Sequence, residues 1–244
     1  MRRFLVLGVV FLSQWAWSLD ADGTSDEVES VLASAKQMPG FMPLYWDGEE
    51  GRLYADIHAI KGPFIYYNGL SHGVGSNDLG LDRGRLGDTY LVEFRRVGKK
   101  VFLTALNTKY TARSDSMRER RAVEEAFAES IIWGFSVIES DTQSLVIDLT
   151  VFALSDATGL SDLLAARGEG SYSVDESRSG LYLPKTKSFP DNTEIDATLT
   201  FSGKSKGRIL RPVAPNADAI TVHGHHSFIR LPDDGYEPLP YDPR

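Results

Sequence analysis

The clearest alternation in the chain lies at residues 195–201, where Ile195, Ala197, Leu199 and Phe201 are interleaved with Asp196, Thr198 and Thr200. A strand repeats every two residues, so this pattern predicts one buried face and one wetted face. Residues 89–97 and 100–106 are also strand-like, and between them Gly98-Lys99 offers a glycine able to take the positive φ of a tight turn. The two runs predict a hairpin. Residues 145–154 put Leu145, Ile147, Leu149, Val151 and Ala153 on one face and mix Val146 and Phe152 with Asp148 and Thr150 on the other, the pattern of a central strand.

A helical pattern interrupts the strands. Ser116 and Glu119 have capping-box spacing, and Ala122, Val123, Ala126, Phe127 and Ile131 follow as an apolar stripe opposite Arg120, Arg121, Glu124, Glu125 and Glu129. This predicts a helix packed on a sheet. A shorter helix is expected over 161–167, stopped by Gly168. From Gly40 onward the rest is short apolar runs between glycine-rich turns. The expected fold class is therefore mainly β: an antiparallel, sandwich-like domain with one or two short packed helices.

The first residues read differently. Arg2 and Arg3 precede an apolar run over 4–12 and the small-residue pattern Ala16-Trp17-Ser18, which together predict a signal peptide over 1–18. The run is shorter than the roughly 18 residues that span a bilayer, so export to the periplasm or beyond is expected without a stable membrane anchor. Residues 19–39 form a polar, acidic leader, helical in part over 26–36, and 40–244 form the domain proper. The chain has no cysteine, so an exported protein of this sequence relies on packing rather than disulfides. It carries 26 basic and 34 acidic side chains for a net charge of -8, a balance that disfavours nucleic acid as a partner.

Several clusters carry possible chemistry. Gly69-Leu70-Ser71-His72-Gly73 matches the Gly-x-Ser-x-Gly pattern of a hydrolase nucleophile, but that motif needs a helix directly after the serine, and Gly73, Gly75 and Gly80 disfavour one. A glycine-rich loop whose Ser71 caps a turn is the simpler expectation. His223, His225 and His226 form the only histidine cluster. On a strand over 221–231, His223 and His225 share a face while His226 points the other way with Phe228, which argues against a three-histidine metal site. Asn77, Asp78, Asp82 and Asp88 lack the spacing of an EF-hand and suit tight turns, with Arg83 and Gly84 among them and Arg83 placed to pair with Asp82 or Asp88. Tyr45, Trp46, Tyr66 and Tyr67 suggest a sugar-stacking platform, or core packing.

An ordered series of motifs runs through the chain. It starts at Gly40-Phe41-Met42-Pro43-Leu44-Tyr45-Trp46-Asp47, continues through Gly75-Ser76-Asn77-Asp78-Leu79-Gly80-Leu81-Asp82-Arg83-Gly84, Arg121-Ala122-Val123-Glu124-Glu125-Ala126-Phe127 and Trp133-Gly134-Phe135, then reaches Tyr182-Leu183-Pro184-Lys185-Thr186-Lys187. It closes with Asn192-Thr193-Glu194, His225-His226-Ser227, Leu231-Pro232-Asp233-Asp234-Gly235-Tyr236 and Asp242-Pro243-Arg244. This series resembles the N-terminal domain of unknown function of large bacterial secreted zinc-dependent metalloproteases of the met-zincin type.

In such enzymes zinc is held by a His-Glu-x-x-His helix, and no glutamate directly follows a histidine in this chain. The resemblance therefore transfers no catalytic or metal-binding residue. Zinc is expected only in a downstream catalytic domain, and this chain needs no cofactor of its own. The resemblance implies a non-catalytic accessory domain packing against a protease catalytic domain in cis or in trans. A free-standing secreted module that binds glycans or an envelope partner is the alternative, and a serine hydrolase using Ser71 is the third.

Overall fold

A computed structural model describes residues 32–112, 114–140 and 144–232. The expected signal peptide, most of the leader and the closing Asp242-Pro243-Arg244 lie outside the described residues. Within them the mainly antiparallel β fold is present, as one sheet curled nearly into a barrel. Strands β1 (Lys36–Met38), β2 (Leu44–Asp47), β3 (Arg52–Asp56), β4 (Phe64–His72), β5 (Leu86–Val97) and β6 (Lys100–Ala105) are followed by helix α1 (Met117–Ala126). Then come β7 (Ser130–Ser140), β8 (Leu145–Asp148), α2 (Thr150–Ala153), α3 (Leu160–Ala166), β9 (Tyr172–Val174), β10 (Gly180–Leu181), β11 (Lys187–Ser188), β12 (Asn192–Gly203) and β13 (Ala219–Ile229). The main path is β1-β2-β3-β8-β7-β6-β5-β4-β13-β12-β10, with β9 and β11 also paired to β12.

The predicted hairpin is β5–β6, where Val97 pairs with Lys100 and Gly98 turns the chain at φ 61°. The helix expected over 161–167 is α3, which buries Leu160 and Leu164 and ends before Gly168 at φ 72°. Its free first amides are capped from a distance in sequence, since the Asp156 carboxylate accepts from Leu160 N and Ser161 N at 2.8 Å each. The end of the expected leader joins the sheet instead of remaining apart: β1 pairs Lys36 with Trp46 and Met38 with Leu44.

Two expectations need correcting. Residues 145–154 do not form one strand; β8 stops at Asp148 and the chain turns into α2. The cause is side-chain competition for the backbone. Asp148 Oδ1 accepts from Thr150 N at 2.8 Å, and Thr150 Oγ1 accepts from Leu53 N at 3.0 Å, so the ladder ends in a local turn. Phe152 and Ala153 then enter the core from a helix.

The second correction concerns α1. Its cap is as predicted, with Ser116 Oγ accepting from Glu119 N at 3.4 Å, yet none of its residues is buried. Six of its ten residues are charged and its stripe is built of Ala122, Val123 and Ala126, too little apolar area to hold it on the sheet. Phe127 and Ile131, counted into the stripe, lie past its end: Phe127 is extended and stacks on Tyr110 at 3.9 Å, and Ile131 belongs to β7.

The core has two parts. Phe64, Tyr66, Phe135, Phe152, Ile195 and Phe228 dominate one, and Leu70, Leu81, Leu160, Leu199, Phe201 and Val222 the other. Each large side chain buried there contributes about 1.5–3 kcal/mol. No helix among the described residues is long and apolar enough to cross a membrane.

Candidate polar site on strands β4, β12 and β13

The outer face of the β4-β13-β12 ribbon carries a connected polar cluster. Register creates it: Asp196 pairs directly with His225, Glu194 with Ser227 and Thr198 with His223, and on the far side His225 pairs with Gly69. Strand periodicity therefore brings Ser71, Glu194, Asp196, His223, His225 and Ser227 to one face. The expectation of a wetted face on β12 is wrong at its centre, because the Asp196 side chain is fully buried. A carboxylate tolerates burial only when its oxygens are bonded.

Those bonds are all internal. Asp196 Oδ1 lies 2.9 Å from His223 Nδ1, and the Ser71 hydroxyl donates to Asp196 Oδ2. Glu194 Oε2 lies 2.7 Å from His225 Nε2, while Glu194 Oε1 accepts from Ser227 Oγ at 2.8 Å and from Asn192. His225 Nδ1 faces Asp196 Oδ2 at 3.4 Å, close enough for an ion pair but too poorly aligned for a hydrogen bond. Tyr182 closes the cluster edge-on against the His223 ring at 4.5 Å.

Burial works against the charged form of His225, but the close approach of Asp196 and Glu194, the latter hydrogen-bonded to Nε2, outweighs that and raises its pKa to about 9. Burial would likewise raise the two carboxylates, yet their bonds to the histidines and hydroxyls hold both below the usual range. At neutral pH the cluster is an imidazolium between two carboxylates.

His226 behaves oppositely, as the alternation predicted. It faces the core, where Nδ1 meets the Tyr66 hydroxyl at 3.0 Å and Phe152 lies 4.7 Å away ring to ring. Complete burial lowers its pKa to about 4, so it is neutral.

A family model described as "Domain of unknown function (DUF5117)" matches residues 84–244, well over half of the chain. The chain belongs to this DUF5117 family. No curated protein and no solved structure matches it. Glu194, Asp196, His223, His225 and Ser227 fall within the residues matched to DUF5117. Ser71 precedes them, on a strand that shares the DUF5117 sheet.

The wiring decides what the DUF5117 cluster can do. A serine nucleophile must hand its proton to an imidazole that an acid orients, whereas the Ser71 hydroxyl goes straight to Asp196. Ser71 does not cap a turn, as the glycine pattern suggested, but sits on β4 as a cross-strand bond. The flanking glycines answer to close backbone approach: a Cβ at Gly69 would meet the Arg85 carbonyl at 2.7 Å, and one at Gly73 would strike that of Leu81.

Metal binding asks for neutral imidazoles with a free ring nitrogen. His225 is protonated with both nitrogens turned to carboxylates, and no group of three or more His, Asp or Glu side chains among the described residues is arranged to hold a metal ion.

The loop candidates take separate places. Asn77 opens a single 3-10 turn, and with its amide nitrogen toward Asp82 it donates to both carboxylate oxygens at 2.8 and 3.0 Å. Asp78 lies in that turn, and Gly84 has φ 83°. Arg83 makes no ion pair with Asp82 or Asp88 among the described residues; it is exposed, and Asp88 accepts from the Tyr90 hydroxyl at 2.9 Å. The four aromatics form no platform, since Tyr66 is buried and Trp46 packs against the core.

Two features escaped the sequence. Glu194 and Asp196 look like solvent-facing strand positions, and only pairing with β13 reveals their partners. Glu169 is buried in the 205–210 loop, where Oε1 accepts from Arg208 N at 3.1 Å and Ile209 N at 3.0 Å, and Oε2 from Leu210 N at 3.1 Å. No local spacing announces a carboxylate that binds amides some forty residues away.

Proposed function

We propose that this DUF5117 chain is a non-catalytic accessory domain of an exported zinc-dependent metalloprotease, packing against a catalytic domain supplied in cis or in trans. The observation that carries this reading is the internal wiring of the Ser71–Asp196–His223–His225–Glu194 cluster. Groups that elsewhere perform acid-base or nucleophilic chemistry hold three strands together here. The ordered motifs supply the link to proteases. The exposed arm around α1, with Met117 and Tyr110 outward, offers apolar surface for a partner domain.

The test is to isolate the natural polypeptide with an antibody against this domain and measure its mass, bound zinc and peptidase activity. A zinc-containing peptidase, as one longer chain or as a stable complex, is expected. A species of this chain's size alone, free of zinc and peptidase activity, would overturn the proposal. Recombinant chain should also remain unlabelled by a fluorophosphonate, and labelling that disappears in Ser71→Ala would reinstate the hydrolase reading.

A further inference from the structure

Strand β4 carries a bulge at Ser71. Leu70 pairs with Gly224 and His72 with His223, so Ser71 is the extra residue, and Ser71 and His72 together stand opposite His223. Strict alternation would have sent His72 inward with the buried Leu70. The bulge instead turns it out to the face that carries His223, where it is exposed. The two imidazoles become cross-strand neighbours, with ring centroids 5.4 Å apart.

Their nitrogens are disposed for more than contact. His223 Nδ1 lies 2.9 Å from Asp196 Oδ1, on the β12 side of β13. Its Nε2 sits across the ring and so faces away from β12, while β4 flanks β13 on the other side. That nitrogen makes no hydrogen bond among the described residues and, unlike His225 Nδ1, is not enclosed. Neither nitrogen of His72 is engaged in a hydrogen bond among the described residues, so this exposed ring is free to turn one toward His223. A carboxylate on one imidazole nitrogen, with the other nitrogen directed outward, is the arrangement that orients histidine ligands and makes them more basic. Tyr182, edge-on at 4.5 Å, further fixes the His223 ring.

We propose that His72 and His223 form a two-imidazole site for a late first-row divalent ion, Cu2+ or Zn2+, with water in the remaining coordination positions. Spacing supports the pair: with metal–nitrogen bonds of about 2.0–2.1 Å at tetrahedral angles, two imidazoles on one ion have centroids roughly 5 Å apart. Imidazole donors suit copper and zinc, whereas Ca2+ and Mg2+ take oxygen ligands. His225 takes no part, because both its nitrogens face carboxylates, and His226 is turned to the core. The site is complete without a catalytic domain and does not depend on the protease reading.

The experiment is a titration of the full chain, free of any histidine tag, with CuCl2, ZnCl2 and CaCl2, read by calorimetry, histidine NMR and Cu2+ EPR. One Cu2+ per chain should bind more tightly than Zn2+, as the divalent series predicts, with Ca2+ silent. The first equivalent of Cu2+ should show two coordinated imidazole nitrogens by EPR, and Zn2+ should shift the ring signals of His72 and His223.

His72→Gln lies at an exposed position and should keep the fold. It should weaken binding by more than about tenfold, since even partners one step removed from a metal are worth about 10–100-fold, and the EPR spectrum should fall to one nitrogen. His58→Gln, in the turn after β3, should leave binding unchanged. Cu2+ and Zn2+ binding no tighter than Ca2+, ring shifts centred away from His72 and His223, or an affinity unchanged in His72→Gln would each overturn the site.

Discussion

Asp196 shows how a residue that looks solvent-facing can become the hinge of a network. It takes a hydroxyl from β4 and faces two imidazoles on β13, so its removal leaves several partners unsatisfied at once. Breaking a buried ion pair by deleting one member costs about 3–5 kcal/mol, and Asp196→Ala should lose stability in that range by urea unfolding. Ser71→Ala removes a single hydrogen bond to a charged group and should cost about 1.5–3 kcal/mol. A double mutant that loses less than the sum of the two would show that the residues act through one network. Additive losses would show that Ser71 stabilises β4 by some other route.

The elements differ in how far sequence reveals them. The β5–β6 hairpin, the α1 cap and the end of α3 at Gly168 rest on contacts within a few residues, and each was legible. The divergence of His226 from His223 and His225 was legible too, because period two is a local property of β13. The helical turn inside 145–154 was not, since Thr150 leaves the strand by bonding to Leu53, far away in sequence. Nor was the exposure of α1, because Phe127 and Ile131 continue its apolar stripe in sequence but lie past the end of the helix, which keeps only Ala122, Val123 and Ala126.

Glu169 belongs with the illegible part, and its role is testable. Its carboxylate collects three amide donors that hold the 205–210 loop beneath the Leu210 core contact. Glu169→Gln keeps the shape but turns an NH2 toward amide donors. A loss of about 1–3 kcal/mol is expected, with faster hydrogen exchange confined to that loop before the sheet opens. Uniform exchange across the sheet would instead make the loop part of one cooperative unit with β12.

At the scale of the whole molecule, two adjacent histidines on opposite faces of β13 oppose each other in their response to pH. His226 is held neutral with a pKa near 4 against about 6.5 unfolded, so between these values the unfolded chain binds the extra proton. Stability therefore rises with pH across that window and is lost on acidification, by on the order of 3 kcal/mol at full protonation. His225 is held protonated up to about pH 9, so its contribution is complete below about 6.5 and is lost, by a similar amount, as pH climbs toward 9. Glu194 and Asp196, both depressed, stabilise the fold above the ordinary carboxylate range and cease to do so below it, which steepens the acid limb. Stability should peak near pH 6.5 and fall on both sides, as measured by urea midpoints from pH 4 to 9. His226→Gln should flatten the limb between pH 4 and 6.5 and leave the alkaline one, while His225→Gln should flatten only the limb between 6.5 and 9. A native profile that stays level from pH 6.5 to 9 would mean that His225 is not held as an imidazolium between Glu194 and Asp196.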